Sequence, residues 1–197
     1  MLFETTILFI FSYLVGNFPS GFLYAKIFQK TDIRTIGSGS TGAMNVYRNT
    51  NKLGFLITFL SDVLKGSVVI LIVSKLLSSS EVVASFSGTF VILGHIYPVL
   101  MKFKGGKGLG PFLGIMLITN WIISVLGLII IPITSIIFRN STLGVLLVVI
   151  LTPLGTFVYS KKPIETFVVG INSILVIFAH RNNLKEILKF INSGYNT

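Results

Sequence analysis

Cysteine is absent from this 197-residue chain, which excludes a disulfide framework, a thiol nucleophile and a cysteine-based zinc site. Charge is scarce and one-sided: only 11% of residues are charged, and six acidic side chains stand against sixteen lysines and arginines. The two histidines and six carboxylates are scattered without ligand spacing, so no metal site is expected. Internal repeats and low-complexity tracts are missing as well.

What fills the space is apolar. Hydrophobic residues make up 52% of the chain and the mean hydropathy is +0.88. A soluble domain of this size cannot hide that much apolar surface. A bilayer crossing takes about 20 apolar residues, and hydropathy places candidate spans at 4–26, 53–76, 82–101, 108–120, 121–138, 142–159 and 164–181. The fold expected is therefore all-α: a polytopic integral membrane helical bundle of about seven transmembrane segments, forming a single domain over 1–197. The short fourth segment either stands alone as a half-helix or merges with its neighbour around Asn120 and Trp121. The amino-terminal stretch carries Glu4 in place of a basic leader and is read as a retained first span.

Charge then sets orientation. With the amino terminus outside, one side collects Lys26, Lys30, Arg34, Arg48, Lys52, Lys102, Lys104, Lys107, Arg139, Arg181, Lys185 and Lys189, and the other only Lys75, Lys161 and Lys162. The basic side is the cytoplasmic one, so the carboxyl terminus is cytoplasmic too. The net charge of +10 is accounted for by these loops and their contact with membrane lipids, and nucleic acid is not expected as a partner.

Three polar segments fall on that face. The first, "KTDIRTIGSGSTGAMNVYRNTNK" at 30–52, has a Gly/Ser core able to adopt positive φ and turn backbone N–H groups toward an anion. Arg34 and Arg48 flank it, and the guanidinium fork suits phosphate. The same composition also makes ordinary turns. The second, "KFKGGKGLG" at 102–110, places Lys107 and two glycines before a helical run, whose amino terminus attracts anions. It is not a Walker A loop, because Gly108 follows Lys107 where Ser or Thr is required. The third, "FAHRNNLKEILK", sets His180 and Asn183 three apart and so on one helical face, either in a polar site or in an interfacial tail. Within the apolar runs, Asp62 and Lys65 stand at i, i+3 and can neutralise each other, or Asp62 can hold a cation from a loop. His95 is either a functional group in the membrane or a neutral histidine bonded to a neighbouring helix, and Pro98 after it marks a kink. A triad of Ser38, His180 and Asp32 or Asp62 is left open by the spacing.

These segments, in this order, resemble the bacterial acyl-phosphate:glycerol-3-phosphate acyltransferase family, the PlsY type. The likeness runs through "GNFPSGFLYAK", "DIRTIGSGSTGAMNVYR", "SDVLKG", "GHIYPVLMKFKGGKG" and "HRNNL". The resemblance implies transfer of a fatty acyl group from acyl phosphate to the 1-hydroxyl of glycerol 3-phosphate, giving 1-acylglycerol 3-phosphate and phosphate. It implies a site of Ser38, Arg48, Lys107, His180 and Asn183, with Gly37, Gly39, Gly42, Asn45, Gly105, Gly106 and Thr142 around the phosphates. It also implies no cofactor or metal, a bacterial cytoplasmic membrane location with the site facing the cytoplasm, and functional coupling to an acyl-phosphate-forming enzyme. The His-x4-Asp signature of the common soluble and peripheral glycerolipid acyltransferases is missing, since Leu100 and Lys185 stand five residues after the two histidines.

Four departures from the family pattern bear on activity. Ser40 replaces asparagine, Met44 replaces threonine, Leu109-Gly110-Pro111 replaces Val-Ala-Thr, and Asn192 stands where an acidic residue is usual. A weakened or silent paralogue is one alternative. A small transporter, with Asp62 and His95 on its pathway, is another, although no paired halves support it.

Overall fold

The structure, a computed structural model, describes the backbone of residues 2–76 and 80–194 and the side chains of all of these except 75, 76 and 188–194. Asn192 therefore lies outside the described side chains. Among the described residues there is no strand. The helices are α1 (Leu2–Gly16), α2 (Ser20–Phe28), α3 (Ala43–Asn49), α4 (Lys52–Leu71), α5 (Glu81–Ile96), α6 (Leu109–Thr119), α7 (Trp121–Ile137), α8 (Ser141–Ser160), α9 (Pro163–Ala179) and α10 (Arg181–Gly194). They form two compact units, Met1–Trp121 and Ile122–Thr197.

Four stretches are long and apolar enough to cross a membrane: Leu2–Phe28, Lys52–Ser74, Glu81–Met101 and Ser141–Ser160. Pro163–Ala179 with Arg181–Ile187, bent by 56°, makes a fifth if the pair counts as one span. Leu109–Thr119 and Trp121–Ile137 are apolar but shorter. At 1.5 Å per residue α6 reaches only about 16 Å, roughly half a hydrocarbon core. Each apolar run in the sequence is thus helical, but length alone does not make seven spans.

Three boundaries correct the sequence reading. The first run is not one helix: it breaks at Asn17–Pro19, because proline lacks an N–H and disfavours helical backbone in the residue before it. Asn17 covers the break, its Nδ2 donating to the Tyr13 carbonyl at 2.7 Å. The polar segment 30–52 is not all loop, since it contains α3. Pro98 does not kink α5 but follows its end, with Tyr97 already out of the helix. At the fourth segment Asn120 separates α6 from α7, so the two do not merge.

In the first unit the helices approach through reciprocal glycines. A Cβ on Gly16 would strike the Val91 carbonyl of α5, and one on Gly94 the Tyr13 carbonyl of α1. Between α4 and α6 the same exchange occurs: Gly66 lies against the Pro111 carbonyl and Gly114 against that of Val63. Ser67 Oγ ties this second pair by donating to the Gly114 carbonyl at 2.9 Å. In lipid, where apolar burial does not drive helix association, such close backbone contact supplies the attraction. Beside it, the buried Lys65 ammonium donates to Asp62 Oδ1 at 2.7 Å, so the two charges do neutralise each other.

In the second unit α8 packs along α9. The turn before α8 is closed by Asn140, whose Oδ1 accepts from the N–H groups of Thr142 and Leu143 at 2.9 and 3.2 Å. Such a cap satisfies helix N–H groups that have no carbonyl partner.

Two stability measurements follow from this packing. Gly114→Ala should cost about 1–3 kcal/mol through overpacking and lower the melting temperature in detergent, whereas Gly170→Ala, which meets nothing within 4 Å, should leave it unchanged or slightly raised. Asp62→Leu alone should cost about 3–5 kcal/mol by stranding a buried ammonium, and combining it with Lys65→Met should recover most of that loss. Equal melting temperatures for the single and double variants would contradict the pairing.

Candidate functional site

The first polar segment is rigid from within. Asp32 caps the short turn Ile33–Thr35: its Oδ1 accepts from the Arg34 N–H and from Arg34 Nε, both at 3.0 Å, and its Oδ2 accepts from Arg34 Nη2 at 2.6 Å. The guanidinium also lies over the Phe22 ring, 4.8 Å from its centroid. These bonds, the side-chain ones first, hold the Asp32 carboxyl down to about 2 and push Arg34 upward. Arg34 is therefore committed to Asp32 and is not the phosphate reader that its position in the sequence suggested. Beneath the turn, Ile33 is fully buried with Tyr24, Ala25 and Val46.

The next turn carries Ser38. Gly37 and Gly39 have φ of 58° and 69°, and the Gly39 N–H donates to the Ile36 carbonyl at 3.1 Å. Asn45 organises the rest. Its Oδ1 accepts from the Ser38 N–H at 2.9 Å, and its Nδ2 donates to the carbonyls of Ile33, Ile36 and Ser40. Gly37 has a second reason to lack a side chain, because a Cβ there would strike the Asn45 and Asn49 amides. Ser40 Oγ accepts from the Gly42 N–H at 3.2 Å, so serine at this position stitches the loop to itself. What the segment turns outward is the exposed Ser38, whose hydroxyl has no partner among the described residues, and the exposed Arg48 on α3, likewise without a partner there.

The second segment leans on the first. The Thr41 N–H donates to the Gly105 carbonyl at 3.3 Å, and the Gly106 N–H donates to the His95 carbonyl at 3.0 Å. A Cβ on Gly106 would enter the His95 ring. Lys107, half-buried, follows, and Gly108 (φ 83°) turns the chain into α6. Pro111 sits in the first turn of α6, where a missing N–H costs nothing.

The N–H groups expected to receive phosphate are thus largely taken by the protein itself: Ser38 and Gly39 in the first loop, Gly42 at the start of α3, and Gly106 in the second loop. The glycines permit positive φ and close contact. The Ser38 hydroxyl and the Arg48 guanidinium are exposed and without a partner among the described residues, and Lys107 is half-buried.

Below the second loop lies a polar cluster that the spacing did not reveal as one group. Ser20 Oγ donates to Asp62 Oδ1 at 2.9 Å, beside the Lys65 contact, and His95 Nδ1 is 3.6 Å from the same oxygen. Together with Asn17 and Thr41 these residues line one polar pocket. Asp62 and Lys65 stood out as an ion pair and His95 as an intramembrane histidine, but Ser20, 42 positions from Asp62, carried no signal.

The second unit holds the remaining candidates. His180 ends α9 and is buried, with Nδ1 2.8 Å from the Val176 carbonyl. A carbonyl only accepts, so Nδ1 carries a proton. In the first unit Asp32 is bonded to Arg34, and Asp62 to Lys65 and Ser20. Asn183 lies half-buried on the first turn of α10, and the Leu184 N–H donates to the His180 carbonyl at 3.1 Å. Thr142 is half-buried on the first turn of α8.

Apolar helices, a self-bonded glycine loop and a second loop presenting lysine define an integral membrane protein with a candidate anion site. The comparisons specify it further. Residues 6–190 match the family model described as glycerol-3-phosphate acyltransferase. Curated proteins named glycerol-3-phosphate acyltransferase are 38% identical in Bartonella quintana, over 94% of this chain and 89% of that protein, and 39% identical in Prochlorococcus marinus, over 93% and 94%. Crystal structures of PlsY (YgiH), an integral membrane glycerol 3-phosphate acyltransferase, in its glycerol 3-phosphate and lysophosphatidic acid forms superpose with TM-scores of 0.88 and 0.86. Both are 31% identical and cover 94% of this chain and 92% of theirs. This chain belongs to the glycerol-3-phosphate acyltransferase family.

The Asp32–Arg34 clamp has a pH signature. A carboxyl held below its ordinary value contributes stability that is complete above about pH 4 and is lost as the pH falls toward 2. A carbon-13 titration of Asp32 should show a midpoint near 2, moving up toward 4 in Arg34→Ala. A wild-type midpoint near 4 would mean that the clamp does not form.

Proposed function

We propose that the chain is an acyl-phosphate:glycerol-3-phosphate acyltransferase, forming 1-acylglycerol 3-phosphate and phosphate as an early step of phospholipid synthesis. The observation that carries the proposal is the Thr41–Gly105 hydrogen bond, which joins the loop bearing Ser38 to the loop bearing Lys107. Both substrates are phosphorylated. A guanidinium and a hydroxyl without partners among the described residues, and a lysine on the adjoining loop, match that chemistry, and family membership supports the acceptor.

In this reading Arg48 and Lys107 hold phosphate groups as cations, and the Ser38 hydroxyl donates a hydrogen bond where negative charge builds up. The acceptor hydroxyl attacks the acyl carbonyl, the carbonyl oxygen becomes an oxyanion, and the acyl–oxygen bond breaks to release phosphate. Donors set in advance by the Asn45 network cost little reorganisation when that charge develops. The donor is already activated, so orientation of the acceptor supplies much of the remaining rate. His180 and Asn183 are assigned to the same reaction by their match to the family motif. The acceptor's proton goes either to His180 Nε2 or to a phosphate oxygen of the substrate. Thr142 offers a further hydroxyl. No step calls on a metal or nucleotide.

In this reading the chain crosses the bacterial cytoplasmic membrane seven times, with its amino terminus outside and its site on the basic, cytoplasmic side. The asymmetry of lysine and arginine supports that orientation. The substitutions at Ser40 and Pro111 are compatible with the fold, since Ser40 bonds within its loop and Pro111 occupies a tolerant helix position. Met44 is half-exposed and contributes no hydroxyl.

Purified protein given palmitoyl phosphate and glycerol 3-phosphate should release phosphate and lysophosphatidate together. Well-folded protein that produces neither above the no-enzyme control would leave the silent-paralogue reading. Ser38→Ala and Lys107→Ala should each reduce kcat on the order of 10²–10³-fold with membrane insertion intact, and full activity in either variant would remove that residue from the mechanism.

A further inference from the structure

Lys107 sits between two close approaches. On one side Gly106 rests against the His95 imidazole, so closely that a methyl group there would overlap the ring, and its N–H donates to the His95 carbonyl at 3.0 Å. On the other side Gly110 rests on the Cβ of Asp62. His95 and Asp62 are themselves neighbours: His95 Nδ1 lies 3.6 Å from Asp62 Oδ1, and that oxygen also accepts from Lys65 at 2.7 Å and from Ser20 at 2.9 Å. All four side chains are at least nine-tenths buried. They come from α2, α4 and α5, so the segment carrying Lys107 is seated on three helices at once.

We infer that His95 is a positioning residue for Lys107, its ring and carbonyl forming the seat of Gly106 while Asp62, held by Lys65 and Ser20, seats Gly110 on the far side of the lysine. Such a role explains a buried histidine that the reaction itself does not use. A carboxylate beside a phosphate would repel it, but Asp62 is neutralised by Lys65, so the cluster can set the loop's height without opposing an anion. A flexible glycine loop held at two points around one lysine gains the preorganisation that its composition lacks, and a misplacement of about 1 Å in such a group costs on the order of 100-fold in rate.

The inference rests on the acyltransferase reading for its kinetic consequence, and the test separates the two. Because the chain contains no cysteine, a nitroxide on Lys104→Cys reports the second loop without background and without any need for activity. Its spectrum should be that of a restrained label in the parent chain and distinctly more mobile in His95→Ala. An unchanged spectrum overturns the inference, whatever the parent's activity. In the kinetic arm, Gly106→Ala should lower kcat about 100-fold by forcing the loop off the ring, a misplacement of the kind just described, and His95→Ala should lower it less. The double variant Gly106→Ala/His95→Ala should return to the level of His95→Ala, because the ring that the methyl strikes is gone. A double variant showing the product of the two single losses also overturns it. If Gly106→Ala does not fold, the spectral comparison decides. A parent chain with no acyl transfer but with the expected spectral change refutes the reaction and leaves the seat standing.

Discussion

A carboxylate and an ammonium buried among apolar helices are tolerable only together, and the 2.7 Å contact between Lys65 and Asp62 makes that burial possible. Being i, i+3 on α4, the pair lies within one turn of a single helix and needs no second helix to form. Once neutralised, it leaves Asp62 able to accept from Ser20 of α2 and to approach His95 of α5. Three helices thereby acquire a common polar reference point. The amino-terminal turn of α6 comes down on the same point through Gly110, and the glycine loop through Gly106.

The rest of the first unit is built to let backbones come this close. Gly16 with Gly94, and Gly66 with Gly114, replace side-chain contact by direct approach of helix backbones. The tight crossing of α4 and α6 brings Gly110 onto Asp62, so the same small residues that assemble the helices also fix the height of the second loop. Its neighbour is set independently. The Asp32–Arg34 clamp and the Asn45 amide hold the first loop from within, and a single backbone hydrogen bond from Thr41 to Gly105 brings the two together. Two glycine-rich segments that look flexible in isolation are in this way both rigid, for different reasons.

Spending the loop N–H groups internally has a chemical consequence. A loop whose backbone donors are free is a general anion nest, indifferent to which anion it takes. Here Asn45, Ile36, Ser40 and His95 occupy the N–H groups of Ser38, Gly39, Gly42 and Gly106, and in the proposed function recognition passes to side chains with direction and charge: Ser38, Arg48 and Lys107. Side chains can be placed against a particular phosphorylated molecule more selectively than a run of equivalent N–H groups.

Much of this was legible in the order of residues. Hydropathy located the apolar helices but not α3, which lies in a polar segment; the break at Pro19 follows from proline's chemistry, though the apolar run hid it. The i, i+3 spacing already announced the Asp62–Lys65 pair, and the Gly/Ser and Gly-Lys segments marked where polar chemistry concentrates. The structure shows Asp32 holding Arg34 while Arg48 has no partner among the described residues, although that clamp spans only two positions and is local. Tertiary structure decided what the glycines are for, because an N–H that donates to His95 and one that awaits an anion have the same sequence. Local spacing determines what a residue can do within a turn of its own helix. Ser20, Asp62, His95 and Gly106 meet only because α2, α4 and α5 converge, and a contact spanning tens of residues is written in the packing of helices and not in any spacing along the chain.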